Sequence, residues 1–309
     1  MKAEISKFFH EKPISTPIVT VTGGKGGTGK TTVAVNLAVA LEMKGMKVML
    51  VDVDVDGPND AVLLGTRLEN GKDVAFFKPV VNTEKCVKCG KCAEVCLENA
   101  LVYVKGQFPA FFEELCSGCA ACQLVCPAEA IEEGRKILGK VYISEVDGIK
   151  LVTGELKPTE ARSPLVALKT KEKAYEIAKK ESFDVILVDT APGVHNPVVR
   201  ALQGASFALA VTEPTPLGAH DLGRILDLTK ELGLLTSVVL NRADIKGGYK
   251  RIIYEICEKF DAEIVSEIPF DKKLLEAYIR SVPVVKLFPS SPSAKAILKL
   301  ADYVSERLK

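Results

Sequence analysis

Thr20-Val-Thr-Gly-Gly-Lys-Gly-Gly-Thr-Gly-Lys-Thr-Thr32 follows an apolar run at 18–21 and leads into the helix-like Val33-Ala-Val-Asn-Leu-Ala-Val-Ala-Leu41. Gly24, four residues, then Gly29-Lys30-Thr31 is the phosphate-loop pattern, here between a strand and a helix as the pattern requires. The glycines let successive backbone N–H groups, from Gly24 through Lys25, Gly26, Gly27, Thr28 and Gly29, turn inward around phosphate oxygens. The helix that begins near Lys30 points its positive end at the same anion, with Thr32 in its first turn. Lys30 is expected to reach the β- and γ-phosphates and Thr31 to ligate Mg²⁺. A glycine-rich linker is the competing reading, but a linker does not follow an apolar strand and open an amphipathic helix.

Outward from this loop, the chain alternates short apolar runs with helical patterns: strand 18–22, helix 30–44, strand 47–52. β-rich runs bounded by turns and separated by helices predict an α/β doubly wound fold with a mostly parallel sheet. Val51-Asp52-Val-Asp54-Val-Asp56-Gly57-Pro58-Asn59 ends the second strand. If the strand continues, alternation sends all three acids to one side, at the strand end where ligands bind in open α/β sheets. A Mg-nucleotide site would compensate their charge; a solvated acidic turn is the alternative. Further strands are expected at 141–144 and 149–153, then a helix at 163–180 with Ser163 as its N-cap and Pro164 at its first position. Phe183-Asp-Val-Ile-Leu-Val-Asp189-Thr-Ala-Pro192-Gly193 has the form of a Walker B strand, with Asp189 holding Mg²⁺ through water and the Gly193 N–H sensing the γ-phosphate. After strands at 207–212 and 236–240, Asn241 can meet a purine edge or form a local turn. The strand at 264–269 closes the sheet, and helix 293–308 ends the chain. His195 follows the Pro192-Gly193 turn, where a surface histidine and a nucleotide-coupled one are both open.

The chain has 309 residues, with 41 basic against 40 acidic ones and a net charge of +1, so bulk charge points to neither nucleic acid nor an anionic membrane. No apolar run approaches the roughly 18 residues that span a bilayer, and residues 1–16 read as an exposed extension without a signal-peptide core. A cytoplasmic protein is expected. Nine cysteines are many for such a chain and point to metal or redox chemistry. Cys86, Cys89, Cys92 and Cys96 are spaced C-x₂-C-x₂-C-x₃-C, and Cys116, Cys119, Cys122 and Cys126 repeat that spacing thirty residues later. This is the bacterial ferredoxin motif in duplicate, in which each triplet serves one [4Fe–4S] cluster and the fourth cysteine serves the other. Cys86, Cys89, Cys92 and Cys126 are therefore assigned to one cluster, and Cys116, Cys119, Cys122 and Cys96 to the second. Zinc prefers separated cysteine pairs. Cys126 is followed by the Pro127 that the motif expects, whereas Cys96 is followed by Leu97; Lys85, Lys88 and Lys91 surround the first triplet alone. Phe108, Phe111 and Phe112 are expected to pack around the clusters, and Cys257 to be buried on an apolar helical face. The expected organisation is an extension at 1–16, a nucleotide domain in two parts at 17–79 and 136–309, and an inserted ferredoxin domain at 80–135.

With these motifs the chain resembles the MinD/Mrp/ParA group of deviant-Walker ATPases over residues 17–309, and most of all those members with an inserted two-cluster ferredoxin domain. The diagnostic residue is Lys25. In the family, this lysine crosses a nucleotide-sandwich homodimer to the partner's phosphates. The resemblance implies ATP or ADP with Mg²⁺ as ligands, Asp54 as the switch I aspartate that orients the attacking water, Asp52 beside Mg²⁺, and Asn241 and Pro269 as adenine contacts. Cys257 alone cannot supply the paired subunit-bridging cysteines of some relatives, so the clusters are placed on the insert, next to switch I. The leading expectation is an ATPase whose closure gates electron transfer from two [4Fe–4S] clusters to a partner protein or cofactor. The alternatives are an iron–sulfur or metallocofactor assembly or carrier ATPase, and a positioning switch with structural clusters. No nucleic-acid or membrane partner is expected.

Overall fold

The computed structural model describes residues 15–309; the expected extension over residues 1–16 falls almost wholly outside them. In chain order the elements are β1 (Ile18–Thr22), α1 (Lys30–Glu42), β2 (Val48–Asp52), α2 (Asp60–Leu63) and β3 (Lys72–Val81). Short pieces follow: α3 (Lys91–Glu94), β4 (Leu101–Val102), β5 (Ala110–Phe111) and α4 (Ala121–Leu124). Then come β6 (Ile131–Val146), β7 (Ile149–Leu156), α5 (Ser163–Ala178), β8 (Val185–Asp189), α6 (Asn196–Leu202), β9 (Phe207–Thr212), α7 (Pro216–Glu231) and β10 (Thr236–Asn241). The chain closes with α8 (Tyr249–Phe260), β11 (Ile264–Ile268), α9 (Lys272–Ile279), α10 (Val284–Leu287) and α11 (Pro292–Arg307). Among the described residues two compact units result, one from residues 15–72 together with Gly139–Lys309, the other from Asp73–Leu138.

The larger unit is built on a parallel sheet in the order β11-β10-β9-β1-β8-β2-β7. Residues Gly139–Val146 of β6 add to it antiparallel, through a tight turn at Asp147-Gly148. Both faces are covered, which is why β1, β2, β8, β9 and β10 are buried at every position rather than at alternate ones. In β9, Phe207, Leu209 and Val211 face the layer of α1 and α11, while Ala208 and Ala210 face α6, α7 and α8. Cys257 lies on that second side, 4% exposed and packed among apolar residues, as expected of it.

Two expectations need correction. The helix after the loop is not amphipathic: every residue of Val33–Leu41 is buried, because α1 lies between the sheet and α11. Ser163 does not cap α5; it is already helical, and Arg162 stands at the N-cap with no side-chain capping bond.

α5 does something the sequence did not announce. Lys171, 3% exposed, sends its ammonium to the backbone oxygens of Arg200 (2.9 Å), Ala201 (2.8 Å) and Gln203 (2.6 Å). These carbonyls, at and just past the end of α6, include helical ones that have no donor within the helix. Burial pushes the Lys171 pKa down from 10.5 to about 7. The unfolded chain therefore binds this proton more tightly between these values, and the group's contribution to stability rises as pH is raised from about 7 to 10.5. Replacing Lys171 by Met should lower stability by about 2–4 kcal/mol through the orphaned carbonyls. The same substitution should flatten the alkaline rise, as chemical denaturation at a series of pH values would register.

Candidate functional site

The loop between β1 and α1 lies at the C-terminal edge of the sheet. Gly29 has φ +93° and ends it, turning the chain into α1. Gly24 is held by close approach: a Cβ there would stand 2.3 Å from that of Asp221 on α7. Lys30 is buried and donates to the Lys25 carbonyl at 3.0 Å, whereas Lys25, Gly26 and Gly27 are exposed. Thr28 is buried, with Thr31 and Thr32 half-buried behind it.

Asp189 and Thr153 are level with Asp52 on the flanking strands β8 and β7, so all three project to the same side of the sheet. Thr31 donates its hydroxyl to Asp189 Oδ2 at 2.6 Å. Asp52 accepts three backbone N–H bonds, from Asp54 (3.1 Å) to Oδ1 and from Asn59 (3.0 Å) and Asp60 (3.2 Å) to Oδ2. These bonds turn the chain away from the strand direction, so the expected row of Asp52, Asp54 and Asp56 does not form. Asp52 is buried, Asp54 half-buried and Asp56 exposed. The carboxylate that takes the third place is Asp60, the first residue of α2, for which no local sequence signal predicts a site. Asp52, Asp60 and Asp189 are all fully buried, and their ligand oxygens lie within 4.8 Å of one another.

Burial raises the pKa of each of these carboxyls, and their mutual repulsion adds to the rise in Asp52 and Asp60. Asp189 reaches about 7, held back by the Thr31 hydroxyl and the Lys30 ammonium. Burial likewise raises Asp54, with Lys30 opposing it, and lowers Lys30 itself. Both oxygens of Asp60, Oδ1 of Asp189 and the Thr153 hydroxyl have no hydrogen-bond partner among the described residues. Buried carboxyl oxygens without donors beside a phosphate-loop threonine fit a divalent cation, whose binding would displace their protons.

The remaining expected residues sit around this loop. Gly193 donates its N–H to the Gly23 carbonyl at 3.2 Å. Asn241 donates to the Thr28 carbonyl at 2.8 Å and accepts from the Arg242 N–H, so its side chain supports the loop from beneath. Arg242 pairs with Glu213. Pro269 lies just past β11, where the Phe270 N–H bonds Asp244 at 2.7 Å. His195 is exposed at the N-cap of α6.

In the smaller unit the cysteine repeat is also a repeat of backbone. Lys88 and Gly118, Gly90 and Ala120, and Asn99 and Glu129 all take positive φ at matching positions. The N–H groups of Ala100 and Ala130 donate to the Cys96 and Cys126 sulfurs at 3.3 and 3.2 Å. Phe112 bonds the Ala100 carbonyl as Asn82 bonds that of Ala130, both at 2.8 Å. Cys96, Cys116, Cys119 and Cys122 line one cavity with Phe77 and Phe111. Cys86 and Cys89 lie near enough to Cys92 to add to the rise that burial causes in its pKa. Burial pushes the Cys122 thiol up to about 11, so a metal bound there must displace a proton. All nine cysteines are free thiols. Of the three phenylalanines only Phe111 packs with the cysteines; Phe108 and Phe112 are 41% and 48% exposed, and Lys88 lies over the Phe108 ring. Lys85 pairs with Glu132 at 3.5 Å.

The sequence model of the CobQ/CobB/MinD/ParA nucleotide-binding domain matches residues 19–284. The chain belongs to this family of P-loop ATPases. An uncharacterised protein of Methanocaldococcus jannaschii is 35% identical over 273 residues, covering 87% of this chain and 91% of its own. The iron–sulfur cluster carrier protein of Pyrococcus horikoshii is 26% identical over 307 residues, covering 94% and 86%. Among solved structures, the septum site-determining protein MinD of P. horikoshii, complexed with Mg-ADP, aligns with a TM-score of 0.58 at 22% identity over 94% of this chain and 96% of that one. Among the described residues, no helix of this family member is long and apolar enough to cross a membrane. Since a Cβ at Gly24 meets Asp221, Gly24→Ala should weaken nucleotide binding by at least tenfold, about 1.4 kcal/mol, in a titration with a fluorescent ADP analogue.

Proposed function

We propose that this ATPase carries two [4Fe–4S] clusters on a ferredoxin-type module at Asp73–Leu138 and delivers iron–sulfur or related metallocofactor units to partner proteins. The observation that carries the reading is the duplicated cysteine backbone, with its paired N–H···S bonds, inserted in the chain of a MinD/ParA-type ATPase. The carrier reading is favoured over gated electron transfer by the relatives named iron–sulfur cluster carrier proteins, which align along 94% of the chain. Cys86, Cys89, Cys92 and Cys126 would hold one cluster and Cys116, Cys119, Cys122 and Cys96 the other; the cavity lined by the second set supports that division.

In the nucleotide site, the loop from Gly24 to Thr32 would wrap the phosphates, with Lys30 turning from the Lys25 carbonyl to the γ-phosphate. Thr31, Asp52 and Asp189 would hold Mg²⁺ and its waters. Mg²⁺ would neutralise phosphate charge; Asp54, half-buried and near Lys30, would orient the attacking water. The exposed Lys25 would reach a second subunit's phosphates, and the Gly193 N–H would exchange the Gly23 carbonyl for the γ-phosphate. Asn241 and Pro269 would flank the adenine. Electron relay stands as a second reading, favoured by one feature: each set has a buried cysteine and N–H bonds to sulfur, an arrangement that retains a cluster.

Mixing the anaerobically loaded protein with a cluster-free acceptor should move iron to the acceptor faster with Mg-ATP than without, and Lys25→Ala should abolish the acceleration. Iron that stays in place while the cluster potential shifts with ATP would replace the carrier reading by the relay. Cys96→Ala and Cys119→Ala should remove the same EPR signal and roughly half of the iron, and Cys92→Ala the other signal, since each set builds one cluster.

A further inference from the structure

The carboxylates at the sheet edge number one more than the nucleotide reading uses. We propose that Asp60 is a direct ligand of the divalent cation, and that Asp60 and Asp189, with Asp52 anchoring the loop that presents Asp60, hold this ion before any nucleotide arrives. Asp60 opens α2 directly after the loop that follows β2, and its side chain is fully buried with neither oxygen partnered among the described residues. Asp52 is the residue expected beside the ion, yet its oxygens already accept three backbone N–H groups. The oxygens with no competing donor are both of Asp60 and Oδ1 of Asp189. The ion's inner ligands therefore fall to Asp60 and Asp189, and Asp52 anchors the loop that presents Asp60.

Independent of the acids, the Thr153 hydroxyl is buried, unpartnered and level with Asp52, so a neutral oxygen without a partner stands beside Asp52 on the same side of the sheet. The dimensions fit. Ligands 2.0–2.1 Å from an octahedral ion stand about 3 Å apart when adjacent and about 4.2 Å apart when opposite. Oxygens already within 4.8 Å need only a small inward movement to share one ion. The charge fits as well. Mg²⁺ bound with nucleotide usually takes one or two carboxylates and completes its shell with phosphate and water. Three buried carboxyls, with Thr31 beside Asp189, offer a dication more acidic ligands than the phosphate-assisted site needs. The inference rests on the ATPase family alone and is indifferent to what the cysteines carry.

Mn²⁺ replaces Mg²⁺ at oxygen sites and its free form is counted by EPR. The cluster-loaded protein, freed of nucleotide and divalent ions, should bind one Mn²⁺ per chain at this site. Asp60→Asn should weaken that binding at least tenfold, whereas Asp56→Asn, an exposed acid of the same loop, should leave it unchanged. Mg²⁺ without nucleotide should raise the melting temperature of the wild type and not that of Asp60→Asn. In the absence of divalent ions the variant should melt no lower than the wild type, since neither Asp60 oxygen has a hydrogen-bond partner to lose among the described residues; this also reports its folding. Mn²⁺ binding by the wild type only after ADP or ATP is added would overturn the proposal whatever the variant does. So would an Asp60→Asn protein that binds Mn²⁺ as the wild type does, or an equal loss in Asp56→Asn.

Discussion

Three carboxylates buried within reach of one ion set the terms for the nucleotide half of this protein. At 4.8 Å and an effective dielectric near 20, each ionised pair repels by about 3.5 kcal/mol. Such a cluster persists because the surrounding fold over-determines it. Asp189 and Asp52 come from neighbouring strands in fixed register, and Asp60 is brought in by a loop tied to Asp52 through backbone N–H groups. The parallel sheet supplies the rigidity. Its strands are apolar on both faces and packed by helices on each side, so the strand ends cannot spread to relieve the repulsion. Repulsion stored in this way is released when a cation or a proton enters.

The cysteine-rich unit solves a different problem with similar economy. Between β3 and β6, residues 82–130 contain only short helices and strands, and the unit's buried residues are a small group, among them Cys92 and Cys122. A core of that size supplies little apolar burial, and metal ligation is the usual means by which small units make up the deficit. Much of its order is backbone order. Matching residues thirty positions apart take matching positive φ values and make matching hydrogen bonds, including Ala120 in the conformation that Gly90 adopts in the first copy. An alanine held at φ +58° is strained, and its carbonyl accepts the Gln123 and Leu124 N–H groups that begin α4, as that of Gly90 accepts those of Ala93 and Glu94.

The features legible in the sequence are those carried by consecutive residues. The phosphate loop, the Asp189 strand and the two cysteine runs each hold their chemistry within about a dozen positions, and strand 207–212 was read to the residue. What escaped depends on partners far away in the chain. Nothing local distinguishes Asp60 from any acid opening a helix; its burial follows from Asp52 and from Asp189, more than a hundred residues on. The apolar face of α1 gave no sign of being a whole circumference until α11 closed over it. Asp54 and Asp56 left the expected row because side-chain bonding to Asp52 turned the backbone at the residue after the strand. Phe108 and Phe112 look like core residues by composition, yet one lies under a lysine and both meet solvent.

The Lys171 ammonium ties down the far end of α6, a helix of seven residues and about 10 Å. Its near end begins just past Gly193, whose N–H rests on a loop carbonyl. α6 is thus a strut between two anchored points, the phosphate loop through Gly193 and α5 through Lys171, with Val198, Ala201 and Leu202 seating it in the core between them.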